Sequence, residues 1–101
     1  MAEMKYHVVW TDEAIETKNN IYQYLQDNWS KKEIESFFTR LDGQLALLSI
    51  FPKMGKPSDK KPGYRETVLS PHQTIYYKLE NNRILIASIF DNRQDPNSLN
   101  L

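Results

Sequence analysis

Apolar positions change period twice along this chain, and the changes mark its elements. Lys5 to Trp10, "KYHVVW", is aromatic and β-branched and reads as a first strand. Thr11 or Asp12 follows as a helix cap, since either side-chain oxygen can accept from an unpaired N–H of the first turn. Ile15, Ile21, Tyr22, Leu25 and Trp29 then recur at near-helical spacing, with fraying expected at Asn28. Ser30-Lys-Lys-Glu33 has the form of a capping box. Behind it Ile34, Phe38, Leu41, Leu45 and Leu48 step by four, three, four and three, thickened by Phe37 and Leu47. The tight link predicts an antiparallel helical pair. Gly43 costs about 1 kcal/mol mid-helix, which the stripe outweighs, and Pro52 ends the element.

After Pro57, Pro62 and Gly63 the period returns to that of strands. Tyr64 to Leu69, Thr74 to Glu80 and Arg83 to Phe90 are separated by "SPHQ" and by Asn81-Asn82. Asparagine tolerates positive φ, so Asn-Asn suits a two-residue hairpin turn. That turn sets Leu79 opposite Ile84, Tyr77 opposite Ile86 and Ile75 opposite Ser88. The other face would carry Thr74, Tyr76, Lys78, Leu85, Ala87 and Ile89. A similar turn at Pro71-His72 would set Arg65 opposite Lys78 and Thr67 opposite Tyr76, at the expense of turning Glu66 toward the core.

The expected fold is therefore α+β in two layers: an N-terminal strand and an antiparallel helical hairpin packed on one face of an antiparallel sheet, in the order β-α-α-β-β-β. The sheet's other face is expected to be bare, with Tyr76, Lys78, Arg65 and Arg93 near it.

Length and composition add bounds. The chain's 101 residues suit one domain, 1–101, and 40% hydrophobic with 26% charged residues is ordinary for a folded protein. With no cysteine, a disulfide or thiolate metal site is ruled out. Two distant histidines argue against another metal site, and no cofactor is expected. "MAEMKYHVVWTDE" lacks an apolar leader core and no run reaches the roughly 18 apolar residues of a membrane span, so a cytoplasmic protein is expected. Net charge is zero, yet Lys53, Lys56, Lys60, Lys61 and Arg65 face only Asp59 within 53–65. Such a block can meet phosphates or acidic partners, or simply keep a loop solvated.

The order of elements, the Pro-x-x-Gly exit at Pro52 to Gly55, the "GYRE" strand with Arg65, "IYYKLENNRILI", and the closing "FDNRQDP" together resemble the RelE/ParE superfamily of bacterial toxins, over residues 4 to 97. The resemblance implies the toxin half of a type II toxin–antitoxin pair, neutralised by a small antitoxin, as a homodimer or a hetero-oligomer with it. RelE-like members cut messenger RNA on the ribosome, whereas ParE-like members inhibit DNA gyrase. Cleavage through the ribose 2′-OH needs a proton acceptor, a cationic clamp and a proton donor. On the RelE-like reading Lys53, Lys56, Arg65 and Arg93 are the candidate charge stabilisers. Arg65, Tyr76, Lys78 and Arg93 are candidates for antitoxin or target binding. Two departures disfavour cleavage: "RQDPNSLNL" lacks the C-terminal tyrosine or histidine of RelE-like nucleases, and the chain is not basic overall.

Each residue also has a plainer role open to it. Arg65 could bridge to a neighbouring glutamate, and Arg93 could pair with Asp91 or Asp95, worth at most about 1 kcal/mol if exposed. His72 is a turn histidine and His7 a structural one. A ribosome-dependent nuclease, a gyrase poison and a non-toxic antitoxin-binding relative all remain open.

Overall fold

A computed structural model of the protein describes residues 5–101. Residues 1–4, on which the reading of the N-terminus partly rests, lie outside that range. Strand β1 (His7–Trp10) leads into helix α1 (Asp12–Asn28) and helix α2 (Lys31–Ile50). The short β2 (Lys56–Pro57) precedes β3 (Tyr64–Ser70), β4 (Gln73–Glu80) and β5 (Arg83–Asp91), and a 3-10 turn at Pro96–Ser98 closes the described chain. The sheet runs β1-β5-β4-β3-β2. The meander is antiparallel as expected, while β1 lies parallel to β5, with His7 beside Arg83 and Trp10 beside Ile86. A parallel partner needs a crossover, and the helical hairpin between β1 and the meander supplies it.

Local signals set the helix starts. Thr11, not Asp12, caps α1: its hydroxyl accepts from Ala14 N–H at 3.1 Å and donates to Ile86 C=O at 2.7 Å. One side chain thus joins the helix start to β5. Ser30 caps α2, with its Oγ accepting from Glu33 N–H and donating to the Glu33 carboxylate at 3.0 Å. The Asn81-Asn82 turn also forms, with Asn81 at φ 54 between the paired Glu80 and Arg83.

The buried stripes are offset from the predicted ones. In α1 the core residues are Ala14 and Ile21, and Ile15 and Trp29 stand 39% and 49% exposed. Ile15 sits one residue, or about 100°, off the buried arc, and Trp29 is already the C-cap. In α2, Phe37, Leu41 and Leu48 are buried, Phe38 and Leu45 flank them, and Leu47 is exposed.

Two bulges correct the predicted registers. Tyr77 faces Ile86 and Leu79 faces Ile84 as read, but an extra residue at Ala87 then sets Ile75 opposite Ile89 instead of Ser88. Ile89 therefore turns into the helix-side core, where its exposure is 1%. On the other side of β4 the Pro71-His72 turn forms, and an extra residue at Leu69 shifts the pairing by one. Arg65 lies opposite Tyr77 and Thr67 opposite Ile75, so the predicted Arg65–Lys78 and Thr67–Tyr76 pairs do not form. The shift has a physical reason. It moves Glu66 off the core side, where an unpaired carboxylate would be costly, and sets Arg65 opposite Tyr77 and Thr67 opposite Ile75 on that side instead. The Thr67 hydroxyl is met by Gln44 of α2 at 3.0 Å.

The sheet's second face is not bare. Tyr76, Ala87 and Phe90 form a second apolar cluster there, packed by Tyr64 and by Leu99 and Leu101 of the final segment. Tyr76 retains only 4% of its exposure.

One fully buried side chain fastens the hairpin's exit to the sheet. The Tyr77 hydroxyl donates to Pro52 C=O at 2.8 Å and accepts from Gly55 N–H at 3.0 Å. Gly55 lies so close that a Cβ there would stand 2.5 Å from Tyr77 Oη and 2.7 Å from Glu66 O. Gly55→Ala should therefore lower stability by about 1–3 kcal/mol through forced displacement. Gly43→Ala, with nothing within 4 Å of its Cβ, should raise it by up to about 1 kcal/mol. Urea unfolding midpoints at unchanged slope distinguish the two; an unaffected Gly55→Ala midpoint contradicts the close packing.

Candidate functional site

The four cations singled out from the sequence do not converge on one point. Arg65 leans across the β2 edge, where its Nη1 donates to Gly55 C=O at 2.6 Å and lies 3.5 Å from Lys53 C=O. The guanidinium thus holds the main chain that bears Lys53, and no bridge to a glutamate forms among the described residues. Lys53 and Lys56 are exposed around that loop, Lys56 within β2. Arg93 lies beyond the far end of β5. From the register, the strand positions of Arg65 and of Asp91, the carboxylate that holds Arg93, are separated by four residues along β4 and two strand spacings, roughly 17 Å.

What Arg93 faces is Asp91. Its Nε donates to Asp91 Oδ1 at 2.9 Å, its Nη2 to Oδ2 at 2.6 Å, and its own backbone N–H to Oδ1 at 2.9 Å. This two-pronged pair folds "DNR" back on itself and sets the guanidinium 6.0 Å from the ring centre of Tyr24 on α1. Hydrogen bonding to Arg93 holds the Asp91 carboxyl below the usual carboxylate range, with a smaller contribution from nearby His72.

Lys78 stands on the second sheet face, paired to Glu80 at 3.6 Å and 5.7 Å from the Tyr64 ring centre. Tyr76 lies beneath Leu99 and Leu101. Burial, followed by the charges of Glu66 and Asp59, pushes its phenol upward. Burial likewise raises Tyr77, partly offset by the Gly55 hydrogen bond and by Arg65. Both phenols are neutral near pH 7 and poorly placed to accept a proton.

Two adjoining clefts share Arg93. One, of about 280 Å³, is lined by Asn20, Ile21, Tyr24, Asp91, Arg93 and Gln94. The next includes Trp29, Phe37, Arg40 and His72. Tyr24 and Trp29 are 46% and 49% exposed. Exposed aromatics beside arginines are the residue types that dominate protein–protein contact energies. The sequence reading missed this group by assigning Trp29 to the core. The available signal was its place one residue before the capping box, where the first helix has to end before the second can start. A second exposed apolar set, Leu47, Phe51, Met54 and Val68, lies where α2 ends beside the β3 edge, with Lys53 and Lys56 next to it.

Comparison with solved structures bears on this architecture. The chromosomal ParDE toxin–antitoxin system from P. aeruginosa matches with a TM-score of 0.73 at 19% identity, over 89% of this chain and 98% of that one. The YoeB–YefM complex from Staphylococcus aureus matches with a TM-score of 0.53 at 22% identity, over 84% and 94%. Both share the fold of this chain, two helices packed on a mixed sheet. A model of the family described as the ParE toxin of the type II toxin–antitoxin system, parDE, matches residues 8–96. The chain belongs to that ParE family and is a toxin of a type II toxin–antitoxin system. No curated protein sequence matches it.

The Asp91–Arg93 pair predicts a pH effect of definite sign. Asp91 titrates lower in the folded protein than in the unfolded chain, so its contribution to stability is present above the usual carboxylate value. That contribution is lost as pH falls through the depressed folded value. In Arg93→Gln, Asp91 should titrate closer to the ordinary 3.8, and the acid limb of the unfolding curve should move to higher pH. Carboxyl NMR titration reads this directly; an unmoved midpoint contradicts the pairing.

Proposed function

We propose that this toxin acts in the cytoplasm by binding a protein target, DNA gyrase, and that it does not cleave messenger RNA. The commitment of Arg65 to the loop carbonyls and of Arg93 to Asp91, whose strand position lies roughly 17 Å from that of Arg65, carries this reading. A phosphorane clamp requires cations free to close on one phosphate. Membership of the ParE family supports gyrase as the target, and Tyr24, Trp29, Arg40 and Arg93 supply a surface suited to protein contact.

The antitoxin partner fits a different place. The exposed Leu47, Phe51, Met54 and Val68 suit the apolar side of an antitoxin segment, and Lys53 and Lys56 beside them suit its acidic residues. Separate surfaces for target and antitoxin would let the antitoxin neutralise by holding the whole toxin, in a hetero-oligomer, without copying the target.

The test is to assay purified toxin on gyrase supercoiling and on ribosome-bound messenger RNA side by side. Supercoiling should fall while message stays intact, and Trp29→Ala should weaken the inhibition about tenfold or more with an unchanged melting curve. Cleaved message with normal supercoiling would overturn the reading. In that case Arg65→Ala and Lys53→Ala become the informative variants.

A further inference from the structure

The second face of the sheet holds a ligand of its own making. After the Asp95-capped turn the chain runs extended through Leu99, at φ −69 and ψ 122, with Leu99 and Leu101 turned inward and Asn100 outward. The two leucines pack on Tyr64 and on the Tyr76, Ala87 and Phe90 cluster. Lys61 Nζ donates to the main-chain oxygen of Leu101 at 2.8 Å while standing 5.3 Å from the Tyr64 ring centre. Lys61 thus joins the loop before β3 to the end of this segment, across the aromatic cluster.

This attachment differs in kind from the rest of the sheet. Residues 99–101 join no ladder, and both leucines are only half-buried. The floor beneath them is built independently: Tyr76 and Phe90 are fixed by the β4–β5 pairing, and Tyr64 by pairing with Lys78. The floor would therefore keep its shape if the segment left, exposing two tyrosines and a phenylalanine beside Lys61 and Lys78. An apolar floor with a cationic margin is suited to a short extended peptide whose alternate side chains point inward.

We infer that this face is a recognition site for an extended segment with two apolar side chains one residue apart and an oxygen acceptor placed for Lys61. Residues 99–101 occupy it in cis, and a partner protein presenting the same pattern occupies it when they leave. The chemistry of the partner follows from that of the resident segment: leucine-sized groups on Tyr76 and Phe90, a polar residue between them facing water, and a carbonyl or carboxylate at Lys61. This site is independent of both the target and the antitoxin surfaces proposed above.

The test uses the full chain and a fluorescent heptapeptide, Asp-Pro-Asn-Ser-Leu-Asn-Leu. A tethered segment competes at an effective concentration on the order of millimolar. The peptide should therefore bind the Leu99→Ser/Leu101→Ser chain about tenfold or more tightly than the native chain. A peptide with both leucines replaced by serine should bind neither. Equal binding of the native peptide to both chains, with the double variant still melting cooperatively, overturns the inference. Should the double variant fail to fold, Lys61→Met decides by hydrogen exchange. Faster exchange at 99–101 with unchanged β4 and β5 supports an exchangeable occupant, whereas unchanged exchange at 99–101, or acceleration shared by β4 and β5, overturns it. The assay involves neither gyrase nor antitoxin, so its failure leaves the proposed function standing.

Discussion

The Tyr77 hydroxyl is the point through which the two layers are locked together. A buried phenol needs a partner for both its proton and its lone pair, and here both are main-chain groups of the loop leaving α2. The consequence runs outward. Because Pro52 C=O and Gly55 N–H are held, α2 meets the sheet at a set height, and Gly55 brings Lys56 against Glu66 to begin β2. Arg65 then closes the loop from the other side by donating to Gly55 C=O. A residue larger than glycine at position 55 would push against a side chain with no exposure and against the Glu66 carbonyl, neither of which can yield cheaply.

That lock also decides the chemistry open to the cations. A guanidinium 2.6 Å from a carbonyl of its own loop is a fixed structural donor, and moving it toward a substrate would leave Gly55 C=O to find another partner. Arg93 is fixed just as firmly by a different acceptor, with Tyr24 beneath it. The four candidate cations are therefore split between a loop held by the core and a corner held by α1. Charge spread in this manner favours long-range attraction of an acidic partner over stabilisation of a single developing charge.

The elements whose cause is local were legible in the sequence. Ser30 and Glu33 announce a helix start because the capping contacts span only three residues, and Asn81-Asn82 announces a turn because positive φ is a property of the residue itself. The bulges at Leu69 and Ala87 were hidden because their cause is remote. An extra residue is accommodated where it lets Ile89 join the helix-side core and keeps Glu66 out of it, and neither fact is visible within one strand. At the site, Arg65 and Arg93 stood out in the sequence as candidates, and Asp91 as a partner open to Arg93. The partner of Arg65 did not, since Gly55 C=O is a main-chain group ten residues away and carries no sequence signature. Trp29 was misplaced for the opposite reason: apolar character and near-helical spacing agreed, but the helix ends one residue too early for it to turn inward.

The bulge at Ala87 and the tail are two aspects of one constraint. By rotating the end of β5, the bulge sends Ile89 to the helices and Phe90 to the opposite face, where it joins Tyr76. The helix-side core is thus completed at the expense of an aromatic cluster on the face that the hairpin cannot reach. Such a cluster needs apolar cover, and the nearest chain is the one leaving β5. Asp91 and Arg93 turn that chain toward α1, and the Asp95-capped turn carries it back across the sheet to Lys61. The charged run that follows so apolar a strand is therefore a reversal device: it redirects the chain so that two leucines can shield what the bulge exposes.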